Sequence, residues 1–247
     1  MSLAFGIDIG ATGIKAGIVN TQTVSLHSER LRLLTPKPSN PENVCNTINE
    51  ILDHFDWSGP VGIGFPSRIV NGTCMMISNI GEEWYKLNLV ETFSKALNRT
   101  CYVANDADVA GLAEYRYNKD LHQYEKVLLL TLGTGVGSVL YYKGILIPNL
   151  ELGHVKWGKD IIEKYFSNNT RKEKDLSWRT WGSRLNEALH HYDLVLSPDA
   201  IVLGGGVSKK FSQYKQYFDM DIPVIPAQLK NAAGVIGAAL LTEVGQQ

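Results

Sequence analysis

The sequence predicts an α/β protein made of two similar lobes, and three observations carry that expectation. Short buried-strand runs alternate with amphipathic helical stretches, the pattern of a layered α/β fold and not of a sandwich. Each half of the chain opens with the same grammar: a strand, a glycine-rich turn and at once a second strand, first at Gly10-Ala11-Thr12-Gly13 and again at Gly133-Thr134-Gly135. The 247 residues, 44% hydrophobic and 20% charged, suffice for one large domain or two lobes and exclude a disordered, collagenous or coiled-coil chain.

Leu3 to Asp8 reads as a buried strand stopped by the first glycine turn. Ile14 to Val19 follows, Asn20-Thr21-Gln22 turns the chain, and Val24 to Leu34 is expected as the third strand of an antiparallel meander. Thr35-Pro36-Lys37-Pro38 breaks it. A helix is expected with Pro41 at its first position and Val44, Ile48, Ile51, Leu52 and Phe55 along one face. Val61 to Phe65 is a buried strand ended by Pro66. Asn88 and Glu91 have capping-box spacing for a helix through Leu97. Tyr102 to Ala104 is a strand that ends in Asn105-Asp106-Ala107-Asp108, with a short Ala/Gly helix behind it.

The second half restarts with strands at Val127 to Leu132, Val136 to Tyr142 and Ile145 to Ile147. Ser167 to Lys174 is polar and charged, as expected of a solvated helix or mobile loop. Trp178, Trp181, Leu185 and Leu189 lie at helical spacing, and core packing accounts for them. Ala200 to Leu203 is a last strand running into Gly204-Gly205-Gly206, and Ala232 to Leu241 is a small-residue helix suited to close packing at a lobe interface.

Composition narrows the function. Lys+Arg of 24 against Asp+Glu of 25 gives a net charge of -1, so no global basic field exists for nucleic acid or an anionic membrane. The longest aliphatic run, Val127 to Leu130, is far below the roughly 20 residues of a membrane span. Asp8 interrupts the first apolar stretch, where a signal peptide needs apolar residues. Cys45, Cys74 and Cys101 are odd in number and scattered, which fits reduced thiols in the cytoplasm.

Glycine turns at strand ends bare backbone N–H groups and form anion cradles. None of those present fits the Walker pattern or the dinucleotide fingerprint. Asp8, beside the first cradle, supplies the single carboxylate that can suffice for Mg2+ shared with water and substrate phosphates. Thr12 offers a hydroxyl to a phosphate oxygen; Lys15 is either a charge partner or solvent-facing.

The stretch Gly6-Ile7-Asp8-Ile9-Gly10, with Gly13-Ile14-Lys15 behind it, resembles the first phosphate loop of the sugar kinase/actin superfamily. Together with Asn105-Asp106-Ala107-Asp108, Leu132-Gly133-Thr134-Gly135-Val136-Gly137, Glu151-Leu152-Gly153-His154 and Leu203-Gly204-Gly205-Gly206-Val207-Ser208, it is similar to the ROK family of sugar kinases and repressors, from about Gly6 to Leu241. Within that family the likeness leans to the polyphosphate-using glucokinases, through Pro148-Asn149-Leu150, Lys174-Asp175-Leu176-Ser177-Trp178, Val207-Ser208-Lys209-Lys210 and Asn231-Ala232-Ala233-Gly234. The ROK repressors carry a helix-turn-helix ahead of the phosphate loop, which here begins at Gly6.

The resemblance implies a two-lobed actin-like, ribonuclease H-like kinase with a cleft between the lobes. It implies an N-terminal lobe of residues 1–105 completed by a helix over 230–247, and a C-terminal lobe of 106–229. The implied reaction is glucose to glucose 6-phosphate with polyphosphate, ATP or both. Asp106 matches the catalytic base, and Asp108 is expected as a cap or supporting residue. Asn79, Asn105, Asp106, Glu151 and His154 match sugar contacts. Gly10, Thr12, Lys15, Gly133, Thr134, Gly135, Gly204, Gly205, Gly206, Lys209 and Lys210 are the expected phosphate-binding set, with Asp8 toward Mg2+ directly or through water. Lys209 and Lys210 follow the third glycine run, where a polyphosphate chain has room to continue.

In many ROK proteins the His after Glu-x-Gly is a zinc ligand completed by downstream cysteines. Here no Cys follows Cys101, so no structural zinc is expected at His154. The family Glu that follows the zinc cluster is expected to be missing too. A homodimer without nucleic-acid or membrane partners completes the expectation. Kinases for another hexose or an amino sugar, and a sugar-binding protein without turnover, remain as alternatives. The last predicts a damaged base or phosphate loop, whereas Asp8, Asp106 and Gly133-Thr134-Gly135 are intact.

Overall fold

A glycine-poised hairpin starts the chain. In the computed structural model, which describes residues 2–244, β1 (Leu3–Gly10) turns through Ala11 and Thr12 into β2 (Gly13–Asn20), with Gly10 opposite Gly13. The strand expected over Val24 to Leu34 is two short ones, β3 (Ser25–Leu26) and β4 (Leu31–Leu33), both paired to β2. Val24, at φ 52°, stays in the turn ahead of β3, and between the two strands the Ser28 hydroxyl accepts the Ile18 N–H at 3.0 Å in place of a ladder partner. Helix α1 (Pro41–His54) starts as expected: Asn40 caps it through Asn43 N and Pro41 stands in the first turn. Strand β5 (Val61–Phe65), the small hairpin β6 (Ile69–Val70) and β7 (Thr73–Cys74), helix α2 (Leu89–Leu97), strand β8 (Cys101–Asn105) and helix α3 (Asp106–Tyr117) follow. The sheet order is β3-β2-β1-β5-β8, with β4 also on β2, and β1, β5 and β8 run parallel.

The second half repeats that topology. An antiparallel meander of β9 (Lys126–Leu132), β10 (Val136–Tyr142) and β11 (Ile145–Leu150) comes first. The two-residue strands β12 (Lys156–Trp157) and β13 (Asp160–Ile161) and the short helices α4 (Glu163–Phe166) and α5 (Asn168–Glu173) lead to the long helix α6 (Trp178–Leu196). Then come β14 (Ala200–Gly204) and β15 (Val224–Pro226), parallel to β9 in the order β11-β10-β9-β14-β15. The polar stretch is thus partly helical, with Ser167 as cap of α5, and Trp181, Leu185 and Leu189 enter the core of this half. The third glycine run does not make a hairpin. Gly205, at φ 79°, leads from β14 into a 3-10 segment, Gly206–Gln213.

Helix α7 (Ala233–Val244) closes the chain; residues 245–247 of the expected helix lie outside the described residues. Close contacts divide the chain into one unit running to Tyr117 and resuming at Ala232, and a second unit, Asn118–Asn231. The first unit therefore keeps α3, which sequence placed at the head of the other lobe, because α3 packs on α7. α7 itself packs within this unit, on β1 and β5 as well as α3. The approach is so close that a Cβ at Gly6 would lie 1.9 Å from the Val235 carbonyl oxygen, and one at Gly62 1.7 Å from that of Ala238. On the other side, a Cβ at Gly237 would lie 1.6 Å from the Val109 oxygen in α3.

Gly237 sits in a helix interior, where alanine is intrinsically better by about 1 kcal/mol. The backbone contact reverses the sign. Gly237→Ala is expected to destabilise by about 2 kcal/mol or more in urea denaturation. Gly206→Ala, where a Cβ meets nothing within 4 Å, is expected to stay within about 0.5 kcal/mol. An unchanged or raised midpoint for Gly237→Ala would contradict the packing.

Candidate active site

Ligand chemistry in open α/β sheets gathers at the carboxyl ends of parallel strands. In the first unit those ends bring two carboxylates onto one edge. Asp8 of β1 is level with Gly64 of β5, which is level with Ala104 of β8, the residue before Asn105 and Asp106. Asp8 and Asp106 are thus two strands apart, about 10 Å at ordinary sheet spacing.

Asp8 is ion-paired: Lys15, directly across the hairpin, puts Nζ 2.6 Å from Oδ2. Lys15 is therefore a charge partner of Asp8 and not a solvated side chain. The other neighbour of Asp8 is the start of α7, where a Cβ on Gly234 would lie 2.7 Å from the Asp8 Cγ. The first glycine turn is held from β4 and the residues just after it. The buried Thr35 hydroxyl donates to the Gly10 carbonyl, and Arg32 Nη2 donates to the Thr12 carbonyl at 2.9 Å. Ala11 and Thr12 themselves are exposed.

Asn105 is the buried residue that starts α3. Its Oδ1 accepts the N–H groups of Ala107 at 2.8 Å and Asp108 at 3.2 Å, and its Nδ2 donates to the Ser67 carbonyl at 3.0 Å. The cap of this helix is therefore Asn105, and Asp108 is a buried first-turn residue. Both ends of the Asn105 amide hold the start of α3, with one Nδ2 hydrogen left over for a ligand. That carboxylate accepts the Ala107 N–H at 2.8 Å through Oδ1, which fixes its direction. Asn79 lies exposed on a separate loop between the Ser78 and Gly81 bridge partners, followed by the buried Trp84, whose indole N–H reaches the Ser39 carbonyl at 2.8 Å.

The second unit has its own cluster around Val136, where β10 leaves the second glycine turn. The Val136 N–H donates to Glu163 Oε2 at 3.2 Å, and a Cβ on Gly135 would lie 2.6 Å from that oxygen. On the other side, Gly153 fits only because a Cβ there would lie 2.4 Å from the Val136 carbonyl. That contact brings in the turn holding Glu151 and His154, whose Oε2 and Nδ1 are 3.2 Å apart. The Tyr192 hydroxyl donates to the Leu152 carbonyl at 3.0 Å; burial first, and the Glu163 charge second, push its pKa well up, so it stays a donor. Glu163 thus occupies the Gly135 edge of the turn, where a carboxylate repels phosphate and accepts hydroxyls. Thr134 is exposed, and the Cβ position of Gly133 is open. Gly204 is buried, whereas Gly206, Lys209 and Lys210 are exposed.

Sequence reasoning missed Arg32 and Glu163. Each reaches a glycine turn from an element with no motif of its own, and only the bulk-free positions Gly13 and Gly135 hint at a neighbour. Among the described residues no group of three or more His, Cys, Asp or Glu is placed to hold a metal ion.

Two duplicated meander-and-parallel sheets, with carboxylates and glycine turns at their strand ends, define a sugar-kinase class of fold. A family model described as the ROK family matches residues 4–158, and the chain belongs to that family. It is 37% identical over 237 residues to a polyphosphate glucokinase of Mycobacterium tuberculosis, covering 96% of this chain and 89% of the relative. To the polyphosphate glucokinase of Mycobacterium leprae it is 35% identical, over 96% of this chain and 73% of the relative. The crystal structure of the inorganic polyphosphate/ATP-glucomannokinase of Arthrobacter sp. strain KM matches with a TM-score of 0.93 at 35% identity, covering 99% of this chain and 100% of that one. A ROK glucokinase from Streptomyces griseus, in complex with glucose and AMPPNP, shares the fold at a TM-score of 0.80 and 22% identity, over 97% of this chain and 99% of that one.

The hydrogen bonds of Asn105 give a direct test of its structural part. Asn105→Ala strips the cap from α3 and leaves the buried Ser67 carbonyl without its donor, an expected loss of about 2 kcal/mol. A loss below about 0.5 kcal/mol in chemical denaturation would show that the amide is not needed there.

Proposed function

We propose that this protein transfers the terminal phosphoryl group of polyphosphate or ATP to the 6-hydroxyl of glucose. The observation that carries the reading is the placement of Asp106, directed by the Ala107 N–H at the end of a parallel strand, in a chain of the ROK family. The named activities of the polyphosphate glucokinases and the polyphosphate/ATP-glucomannokinase support the same donors and acceptor.

Asp106 takes the proton of the sugar hydroxyl as its oxygen attacks the terminal phosphorus. The new O–P bond forms while the bond to the bridging oxygen breaks. The shortened polyphosphate, or ADP, leaves with that electron pair, and the proton passes from Asp106 to solvent. Asn105 positions Asp106 by holding the start of α3. Glu151, His154 and, from a more exposed loop, Asn79 read sugar hydroxyls. Glu163 takes the place left by the family Glu that the sequence was expected to lack, because its carboxylate shares the Val136 cluster with Glu151 and His154.

The backbone of Gly10 and Thr12, with Lys15, and that of Gly133 and Thr134 are the phosphate contacts; Gly204, Gly205, Gly206, Lys209 and Lys210 serve the rest of the donor. Mg2+ is the implied metal, and the donor set fits it. One carboxylate, Asp8, completed by water and donor oxygens, suits an ion that keeps several waters. When bound, it supplies neutralisation of the donor's phosphate charge.

Three buried free cysteines support a reducing, cytoplasmic setting. No helix among the described residues is long and apolar enough to cross a membrane. The exposed apolar residues Tyr142, Ile145 and Ile147 on the β10–β11 edge support a homodimer.

The test is Asp106→Asn. Its amide still hydrogen-bonds, so glucose affinity is expected to stay within about tenfold while kcat falls by about a hundredfold or more. Turnover retained within about threefold would remove Asp106 as the base.

A further inference from the structure

Arg32 stands on the first glycine turn without a charge to match it. It is opposite Lys15 in the β2–β4 pair, so the two side chains share one face of the sheet, with Cβ atoms about 5 Å apart. Lys15 is neutralised by Asp8, whereas no carboxylate among the described residues pairs with Arg32. One guanidinium N–H goes to the Thr12 carbonyl at 2.9 Å. A Cβ on Gly13 would meet its Nε at 2.6 Å and Cζ at 2.9 Å, so the group rests against the bare backbone of the turn. Arg32 is nonetheless exposed, and guanidinium carries further N–H donors in a planar fork made for phosphate oxygens.

A surface arginine serving only the fold would be expected to reach a nearby carboxylate or to trail into water. This one is held at its own turn while exposed, and it leaves an excess positive charge at a proposed phosphate-binding hairpin. We propose that Arg32 binds the non-transferred phosphates of the donor, beside the Gly10–Gly13 turn. This rests on the kinase reading above, which it extends to a residue that holds the donor's chain and leaves the reacting phosphorus to others. The ligand chemistry is a phosphoanhydride chain, present in both polyphosphate and ATP.

The experiment measures calorimetric binding of medium-chain polyphosphate and, separately, of ATP to wild type, Arg32→Gln and Arg32→Lys over a salt series, with steady-state kinetics alongside. Arg32→Gln is expected to weaken polyphosphate binding about tenfold and to flatten its salt dependence by about one counterion, with the KM for glucose within about twofold. Arg32→Lys is expected to keep the salt slope and lose part of the affinity, because the charge stays and the fork does not. An equal loss for ATP places Arg32 at the phosphates both donors share; a loss confined to polyphosphate places it on units beyond them. Polyphosphate affinity and salt slope unchanged in Arg32→Gln, or a loss for ATP alone, would overturn the assignment. Should Arg32→Gln not fold, Gly13→Ala pushes the guanidinium off the turn with its charge intact, and it must weaken polyphosphate binding or the proposal fails. Wild-type turnover separates the two levels: binding that depends on Arg32 without phosphorylated glucose refutes the kinase reading and not this one.

Discussion

Helix α7 lies against β1, β5 and α3 at backbone distance, and the first unit's share of the chemistry depends on that contact. Only glycine fits at Gly6, Gly62 and Gly237, because any Cβ there would overlap a main-chain carbonyl. Side chains of a strand alternate faces, so the face of β1 that carries Gly6 toward α7 also carries Asp8. Asp8 consequently meets the first turn of α7 at Gly234, and the oxygen nearest that turn, Oδ2, is the one paired with Lys15. The same contact fixes α3, and with it the helix start on which Asn105 and Asp106 sit. Dispersion and apolar burial supply the attraction: Val235, Ile236, Ala238, Ala239 and Leu240 are all buried.

The second unit solves a similar problem with polar groups. Val136 donates its N–H to Glu163 and accepts the close approach of Gly153 at its carbonyl, so one residue ties the glycine turn to the Glu151–His154 turn. A carboxylate at that N–H divides the labour along the turn. Its Gly135 end lies against a carboxylate, while the Cβ position of Gly133 is open and Thr134 is exposed. In both units a glycine turn is thus shaped by a long side chain from another element, Arg32 in one and Glu163 in the other.

Much of this was legible in the sequence. The runs Leu3 to Asp8, Val61 to Phe65, Val127 to Leu132 and Ala200 to Leu203 are strands, as their short length and flanking Gly or Pro indicated, and Asn40-Pro41 and Asn88 do start helices. What escaped depends on contacts distant in sequence. The late start of β3 follows from a positive φ at Val24 and the break before β4 from a hydroxyl at Ser28, neither of which has a pattern signal. β15 contains Pro226, which demotes a run in any sequence argument, yet it pairs with β14 at the sheet edge, where a proline is tolerated. The sequence offered Asn105 as a turn or helix cap beside its part in the site, and its three hydrogen bonds show the cap. Arg32 and Glu163 were invisible because a lone charged residue in an exposed stretch looks like solvation.

The most direct measurement is formation of glucose 6-phosphate by the purified wild-type protein with glucose and Mg2+, comparing polyphosphate and ATP as donors and following loss of donor phosphate in the same samples. The account predicts product from at least polyphosphate, one glucose 6-phosphate for each phosphoanhydride bond broken, and none when glucose is left out. Glucose that binds by calorimetry and is never phosphorylated with either donor would contradict it, and would mark the fold as a sugar-binding protein without turnover.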